Sequence, residues 1–515
     1  MIHDARKLQA HAVLHADVCV IGSGAGGSMA AWAAAQAGLR VVTLEAGGLL
    51  TPEDMTQREE VMMPQLYWDG AARSTADRGI HVHQGKGVGG STLHNLNLCK
   101  RIDPQVREQW RQSRPMQALP EQTWAALYSE VEQLLSVSAV PQENWNRHNQ
   151  LLRDGCDKLG WRWAGLSHNR SGCAQSGFCA LGCAYDAKNN AAKIIWPRAV
   201  ALGVEVLTHA QAVRIDHDGQ QVRAVHAVAI DASDGHALQN FTVFAPRICV
   251  AASATATPAL LIRSQVPDPS GQTGQHLRLH PAVVVAGEFD DRVAAWRGIP
   301  QTVECTEFLD FSNDSKENTA KPSRLWIVPA FAHPMGTATM LPQWGEAHRS
   351  WMKQYAHLGV LTAMIHERSD GRVQPDGDLG VRLDYQLTTQ DHDELVRGLA
   401  VCAQIWFAAG AKRVLLGTQP ALVMTHADDR AVLAQAAQQT LALTAVHPMA
   451  SMPMSDNPQQ GSVDSRGQHH GLRGLWIADG SLLPSSIGVP PQLSIYALGL
   501  HVGRQMVAVP AAAKP

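Results

Sequence analysis

The 515-residue chain is notable first for what it has little of. No apolar run approaches the roughly 18 residues that a membrane-spanning helix needs, so no transmembrane segment is expected. Neither sign of charge dominates: 43 Lys and Arg stand against 46 Asp and Glu, a net charge of −3. That excludes the electrostatic footprint of a nucleic-acid binder. Residues 1–16 interleave His3, Asp4, Arg6 and Lys7 and lack an apolar centre, so no export signal is expected and the expected location is cytoplasmic. Nine cysteines are too few for a disulfide scaffold at this length. Aromatic residues make up only 5 %, unevenly spent as fourteen Trp against six Tyr. There is no internal repeat and no low-complexity segment. What remains is an ordinary globular composition, 45 % apolar, long enough for one to three domains and a large core.

Against that background one stretch carries most of the information. Asp17-Val18-Cys19-Val20-Ile21 reads as a buried strand, and Gly22-Ser23-Gly24-Ala25-Gly26-Gly27 reads as the turn that follows it. An alanine-rich helix then runs from Ser28 to Ala37. Gly22, Gly24 and Gly27 match the G-x-G-x-x-G spacing. The first glycine permits the tight turn, the second lets backbone approach a pyrophosphate, and the third lets helix and strand pack closely. The helix start offers free N–H groups and a positive dipole end to phosphates. A second strand, Arg40 to Leu44, ends in Glu45, placed for adenosine ribose hydroxyls and unfavourable to a 2′-phosphate.

Farther along, residues 51–80 show no period and read as irregular. In Gln84-Gly85-Lys86-Gly87-Val88-Gly89-Gly90-Ser91, four glycines in six residues suit backbone laid flat against a ligand. Helices are expected over Trp124–Val137, Ala191–Leu202, Thr389–Ala409 and roughly Ala427–Thr440. Strands are expected over Val204–Ala212, Gln221–Ile230, Phe241–Phe244 and Arg247–Ala251. A helix is expected to start at Thr257-Pro258, with Pro in its first turn. The closing stretch returns to strand then helix: Leu475 to Asp479, then Pro490 to Val507. Asp479 ends a strand beside Gly480, where a carboxylate can bind ligand hydroxyls or simply cap a turn. Gln492 opens the last helix, whose N-terminus offers a positive dipole end.

These motifs, with Ala252–Leu261, Gly274-Gln275-His276-Leu277 leading to His280-Pro281, His447-Pro448-Met449 and Ala478-Asp479-Gly480-Ser481, occur in the order seen in glucose–methanol–choline (GMC) oxidoreductases. The chain resembles that family over nearly its whole length. The resemblance implies an α/β fold: a Rossmann-like FAD-binding domain assembled from separated segments, with a discontinuous α+β substrate domain on an antiparallel sheet. On this reading residues 1–282 form the FAD-binding domain with an inserted cysteine-bearing loop, 171–187. Residues 283–425 form the substrate domain, and 426–515 return to the FAD domain. FAD would be held by Gly22, Gly24, Gly27, Glu45, Gly85, Gly89, Gly90, Ser91, His94, Asn95, Asp479 and Gln492. In some members a histidine directly before this asparagine carries FAD covalently, which would be His94; the alternative is a histidine lining the site without a bond.

The resemblance makes His447 the base that takes the alcohol proton, a role that suits imidazole. The chain departs from the family in two places. Ala450-Ser451 stands where Gly-Thr commonly follows, and Pro490 stands where a second catalytic Asn or His is usual. Proline offers no side-chain donor. Cys173, Cys179 and Cys183 lack the paired C-x2-C spacing of zinc sites. They resemble the segment that holds a three-iron cluster in FAD-dependent glucose dehydrogenases, and also the segment of long-chain alcohol oxidases and bacterial relatives. The latter look closer, so an iron–sulfur cluster is open but not favoured. The implied activity is FAD-dependent oxidation of a small-molecule alcohol to aldehyde or ketone. Alternatives are a flavin-bound lyase, a sugar dehydrogenase passing electrons through such a cluster to an acceptor protein, and a degenerate binding protein. Trp296, Trp326, Trp344 and Trp351, with several Met, either point to an apolar or aromatic substrate or belong to the core.

Overall fold

The computed structural model describes residues 1–311, 324–330 and 332–509. Two sheets organise it. The first is six-stranded and wholly parallel, in the order Ile2–Asp4, Glu205–Thr208, Val41–Leu44, Val18–Ile21, Ile248–Val250, Leu475–Ile477. Val41–Leu44, Val18–Ile21, Ile248–Val250 and the edge strand Leu475–Ile477 are buried along their whole length, as continuous apolar runs in a parallel sheet should be. Residues more than two hundred apart in sequence thus lie side by side, which is the discontinuous α/β architecture expected. The alanine-rich helix Ala25–Gln36 and the C-terminal helix Gln492–Ala508 pack against each other beside this sheet.

The second sheet is nine-stranded and almost entirely antiparallel. Its spine is Ala282–Glu288 paired with Leu358–Ile365 and Arg413–Leu416. It also takes in Trp163–Gly165, Ile80–Val82 and Leu443–Ala445, from outside the 283–425 stretch. Side chains alternate along the spine. Val283 and Val285 pack with Leu395, Leu399 and Ala403 of the long helix Thr389–Ala409, while Ala282, Val284 and Ala286 line a cavity. Among the described residues no helix is long and apolar enough to cross a membrane.

Several local expectations are corrected. Residues 51–80 are not wholly irregular: Glu59–Leu66 is a helix, and its Met62 and Leu66 bury with Met55, Leu93 and Leu181. The helix expected at 191–202 is two, Ala191–Ile194 and Trp196–Ala201, broken before Pro197, which denies its N–H to a continuous helix. The strand at 204–212 divides at His209, where φ is +52°, so Glu205–Thr208 joins the parallel sheet and Ala210–His217 a separate four-stranded one. The segment at 427–440 is helical only over Arg430–Ala436. Pro258 lies inside a helix that already starts at Ser253. Its missing N–H leaves the carbonyl of Ala254 without the usual intrahelical partner. The hydroxyl of Ser451 donates to that carbonyl at 2.5 Å, so the serine that departs from the family pattern ties the loop after His447 to this helix.

Candidate active site

A cavity of about 790 Å³ runs between the two sheets. One end is bounded by Gly22, Ser23, Gly24, Leu44, Glu45 and Ala251. The other is the apolar face of the antiparallel sheet, with Val284, Ala286, Val360, Met364 and Leu415. His94, Asn95, Asp479, Pro490, Gln492 and His447 line it between these ends.

The glycine end is shaped by backbone contact. Gly22 has φ +101°, and a Cβ on it would lie 2.2 Å from the carbonyl oxygen of Ala251. A Cβ on Gly26 would lie 1.7 Å from the carbonyl oxygen of Ala478, so this glycine, outside the three-glycine spacing, is the one the packing tolerates least. At Gly24 a Cβ would meet only the Cα of Gly90, at 4.0 Å. Gly24 caps the helix Ala25–Gln36 with no side-chain hydrogen bond, so the first N–H groups remain for an incoming acceptor. Gly27 continues this first turn. A bare helix start opening on a cavity of about 790 Å³ fits FAD.

The carboxylates are more engaged than the sequence implies. Glu45 accepts from the N–H groups of Ser23 (3.1 Å), Gly47 (2.8 Å) and Gly87 (3.0 Å) and from the Ser23 hydroxyl (2.5 Å). It staples the first glycine turn to the second glycine loop. Asp479 accepts from the N–H groups of Ser253 (2.9 Å) and Ser481 (2.8 Å) and from the Thr257 hydroxyl (2.5 Å). Burial pushes its carboxyl up from the usual range. Both acids face the cavity while acting as caps.

In the second glycine loop, Gly87, Gly89 and Gly90 all have positive φ, and Gly90–Leu93, including Ser91, forms one short 3₁₀ turn. The N–H of Gly85 donates to the Ser91 hydroxyl at 2.9 Å. A Cβ on Gly85 would sit 2.7 Å from Nε2 of His94, so this glycine makes room for the imidazole. That Nε2 is buried without a partner, and burial holds the His94 pKa well below its ordinary value. An orphaned nitrogen on the cavity wall is a second feature that a bound group would complete. The Asn95 amide donates to Gln492 Oε1 at 2.6 Å, and the Gln492 amide donates to the Leu98 carbonyl at 2.7 Å. These two residues therefore join the glycine loop to the last helix, which starts without a side-chain cap behind Pro490-Pro491.

His447 projects into the middle of the cavity. Its Nδ1 is 2.9 Å from Nδ1 of His280, and burial pushes its pKa down to about 3. Pro490 is on the same wall and contributes no hydrogen bond of its own side chain. Of the four tryptophans expected near substrate, only Trp326 lines the cavity. Trp351 is buried elsewhere, Trp344 is 90 % exposed, and Trp296 stacks on Tyr355.

Cys173, Cys179 and Cys183 lie outside the main cavity, around a second small one shared with Arg170 and Lys188. The N–H of Gln175 donates to Cys173 Sγ at 3.4 Å, and that of Ala187 to Cys183 Sγ at 3.3 Å. Among the described residues, Asp231, Asp234 and His236 are the one trio of metal-capable side chains with ligand atoms within 4.8 Å, so the thiols are too spread for a single shared ion. The buried Lys188 donates to the carbonyls of Leu93, Asn95 and Cys179 at 2.9, 2.6 and 2.9 Å. Burial lowers its pKa to about 8. His280 and Lys188 carry geometry that the sequence reading left unassigned. A histidine two residues before a strand, and a lysine among small residues, were the signals available.

Comparison with known proteins agrees with this architecture. Residues 63–282 and 367–499 match the description GMC oxidoreductase. An uncharacterised GMC-type oxidoreductase of Mycobacterium tuberculosis is 34 % identical over 502 residues, covering 96 % of this chain and 76 % of that protein. A long-chain-alcohol oxidase of Arabidopsis thaliana is 25 % identical over 543 residues, covering 98 % and 69 %. Among solved structures, pyridoxine 4-oxidase from Mesorbium loti superposes with a TM-score of 0.69 at 19 % identity, covering 95 % of this chain and 98 % of that one.

Proposed function

The chain belongs to the GMC oxidoreductase family, whose members depend on FAD, and from that premise we propose that it oxidises an apolar alcohol to the aldehyde or ketone with His447 as general base. The observation that carries this reading is the position of His447. It stands on the wall of one cavity, between an uncapped nucleotide-binding turn and an apolar sheet face. FAD, when bound, supplies the hydride acceptor. The first turn of Ala25–Gln36 would hold its pyrophosphate, Glu45 its ribose, and Asp479, Asn95 and Gln492 its polar edge and ribityl chain. His94 is the side chain that would carry it covalently.

The chain's own chemistry follows from burial. At neutral pH His447 is unprotonated, so it can accept a proton from an alcohol oxygen. The alanines and valines of the sheet exclude water and accept a hydrocarbon tail, while offering few partners to a sugar. The long-chain-alcohol oxidase among the relatives supports that choice.

A second reading concerns where electrons leave. Two backbone N–H donors, the half-buried Arg170 and the buried Lys188 give the three thiols a setting that favours negative charge, but the cavity among them holds only about 10 Å³, too little for a cluster as the side chains stand. Metal analysis with low-temperature electron paramagnetic resonance decides it. About three irons per chain would make the enzyme a dehydrogenase with a protein or quinone acceptor.

The test of the main reading is anaerobic mixing of the flavin-loaded protein with straight-chain and benzylic primary alcohols. Loss of the oxidised flavin band with stoichiometric aldehyde is expected. Product without bleaching would indicate a lyase, and silence across the panel would overturn the reading.

A further inference from the structure

Two histidines meet on the cavity wall because backbone register brings them there. Arg278 and Met449 form an antiparallel bridge, each N–H donating to the other's carbonyl at 2.8 Å. Stepping two residues outward along each segment brings His280 opposite His447. The rings stack with centroids 5.1 Å apart and planes at 30°. Their Nδ1 atoms, 2.9 Å apart, hold one proton between them.

His280 is itself held firmly. Its backbone has φ +54°, a conformation that costs energy at a non-glycine residue and recurs at functional sites. The N–H groups of Leu279 and His280 both donate to Glu367 Oε1, at 2.9 and 2.8 Å. The ring lies against the indole of Trp326 at 6.2 Å and 23°. That indole N–H donates to Glu304, which is paired with Lys100. The other ring nitrogen, Nε2, is buried without a partner.

We propose that His280 is the positioning residue for His447. The proposal rests on the reading of His447 as the base. His447 carries its proton on Nδ1 and donates it to Nδ1 of His280, whose own proton sits on Nε2. Nε2 of His447 is then bare toward the cavity, the form that accepts a proton. Oxidation removes a proton and a hydride from the alcohol. The hydride goes to the bound flavin, and the O–H proton arrives at Nε2 of His447. The imidazolium charge is then shared with His280 across the Nδ1–H···Nδ1 bond. The ionisable groups around the pair are His366, Glu367 and Arg278, with Glu304 behind Trp326. Burial keeps both rings neutral beforehand, with His447 at about 3 and His280 well below its ordinary value.

Nitrogen-15 histidine NMR of the flavin-loaded protein reads this without turnover. His447, assigned by comparison with His447→Ala, should be the Nδ1–H tautomer with a strongly downfield proton. That proton should vanish in His280→Leu and persist in His280→Asn, whose Oδ1 accepts in place of Nδ1. In parallel, anaerobic flavin reduction by 1-octanol and benzyl alcohol should slow about 10²-fold in His280→Leu with KM little changed. The pH profile should shift, and His280→Asn should recover most of the rate. An Nε2–H tautomer for His447, or a His280→Leu rate and pH profile equal to the parent's, would overturn the proposal. If no alcohol reduces the flavin, the reading of the reaction fails, while the tautomer still judges the pair.

Discussion

The two ends of the cavity are built by different means. The glycine end is made of backbone, and its side chains are spent on caps: Glu45 and Asp479 each accept three or more hydrogen bonds from their own surroundings. The sheet end is made of side chains, apolar along the strands, with an imidazole pair between the two ends. Backbone geometry tolerates almost no substitution. Apolar side chains tolerate many, at a graded cost. The two ends should therefore fail differently when mutated.

The largest effect is expected at Gly26. An alanine there would drive Cβ into the Ala478 carbonyl, so strand and helix must part. Gly26→Ala should give little soluble protein. Gly24→Ala has room within the protein but would intrude on the cavity, so it should fold and purify with much less flavin. Yield and the flavin-to-protein absorbance ratio check both. A flavin content in Gly24→Ala equal to the parent's would show that the cavity's glycine end is not where the cofactor sits.

This contrast also explains what was legible in the sequence. Gly22, Gly24 and Gly27, the strand before them and Glu45 lie within a short stretch, so spacing alone announced the turn. Gly26 was missed because its reason, the carbonyl of Ala478, comes from the far end of the chain. His280 was quoted in a motif, but its partnership with His447 depends on the Arg278–Met449 register, which no local pattern encodes. Pro258 looked like a helix start because the usual rule places proline in the first turn. The donor that permits it mid-helix, Ser451, is again distant in sequence. The helix Glu59–Leu66 was hidden by its short apolar face and by Pro64.

The next effect is at the junction of the two ends. His447→Ala should keep its flavin and slow anaerobic flavin reduction by about 10²–10⁴-fold. A near-normal rate would assign the base elsewhere. Pro490→Asn, which restores a side-chain donor on the same wall, should be tolerated and leave flavin content intact. Loss of flavin would show that the proline is there to start the last helix.

Acid should separate the ends as well. Burial holds His447 and His366 down to about 3 and His148 to about 4. In the unfolded chain such residues take up protons near pH 6.5. As pH falls from 6.5 toward 4 the unfolded state binds these protons and the folded state does not, so stability is lost. Asp479 works in the opposite sense. Its raised folded pKa gives a contribution that is fully present below the unfolded value and lost as pH rises through the folded one, so this single carboxyl opposes part of the loss from the three histidines. Melting temperature should therefore drop steadily between pH 7 and pH 5. A flat profile would mean that these rings are not buried as neutral imidazoles.

The smallest and most specific effect is expected at Val284, on the cavity face of the sheet spine. Val284→Ala removes two methyl groups from the wall without touching Val283 or Val285, which pack on the opposite face. Each buried methylene-sized group is worth about 0.8 kcal/mol, so an apolar substrate that rests on this wall should lose about tenfold in kcat/KM. Contacts with a tail remote from the reacting carbon bind ground state and transition state alike, so the loss should appear in KM while kcat stays near the parent value. Straight-chain alcohols of increasing length sharpen the test. Those too short to reach Val284 should be indifferent to the substitution, and those long enough should feel it fully. A loss independent of chain length, or one carried by kcat, would mean that the tail runs elsewhere and that the apolar face serves only as core.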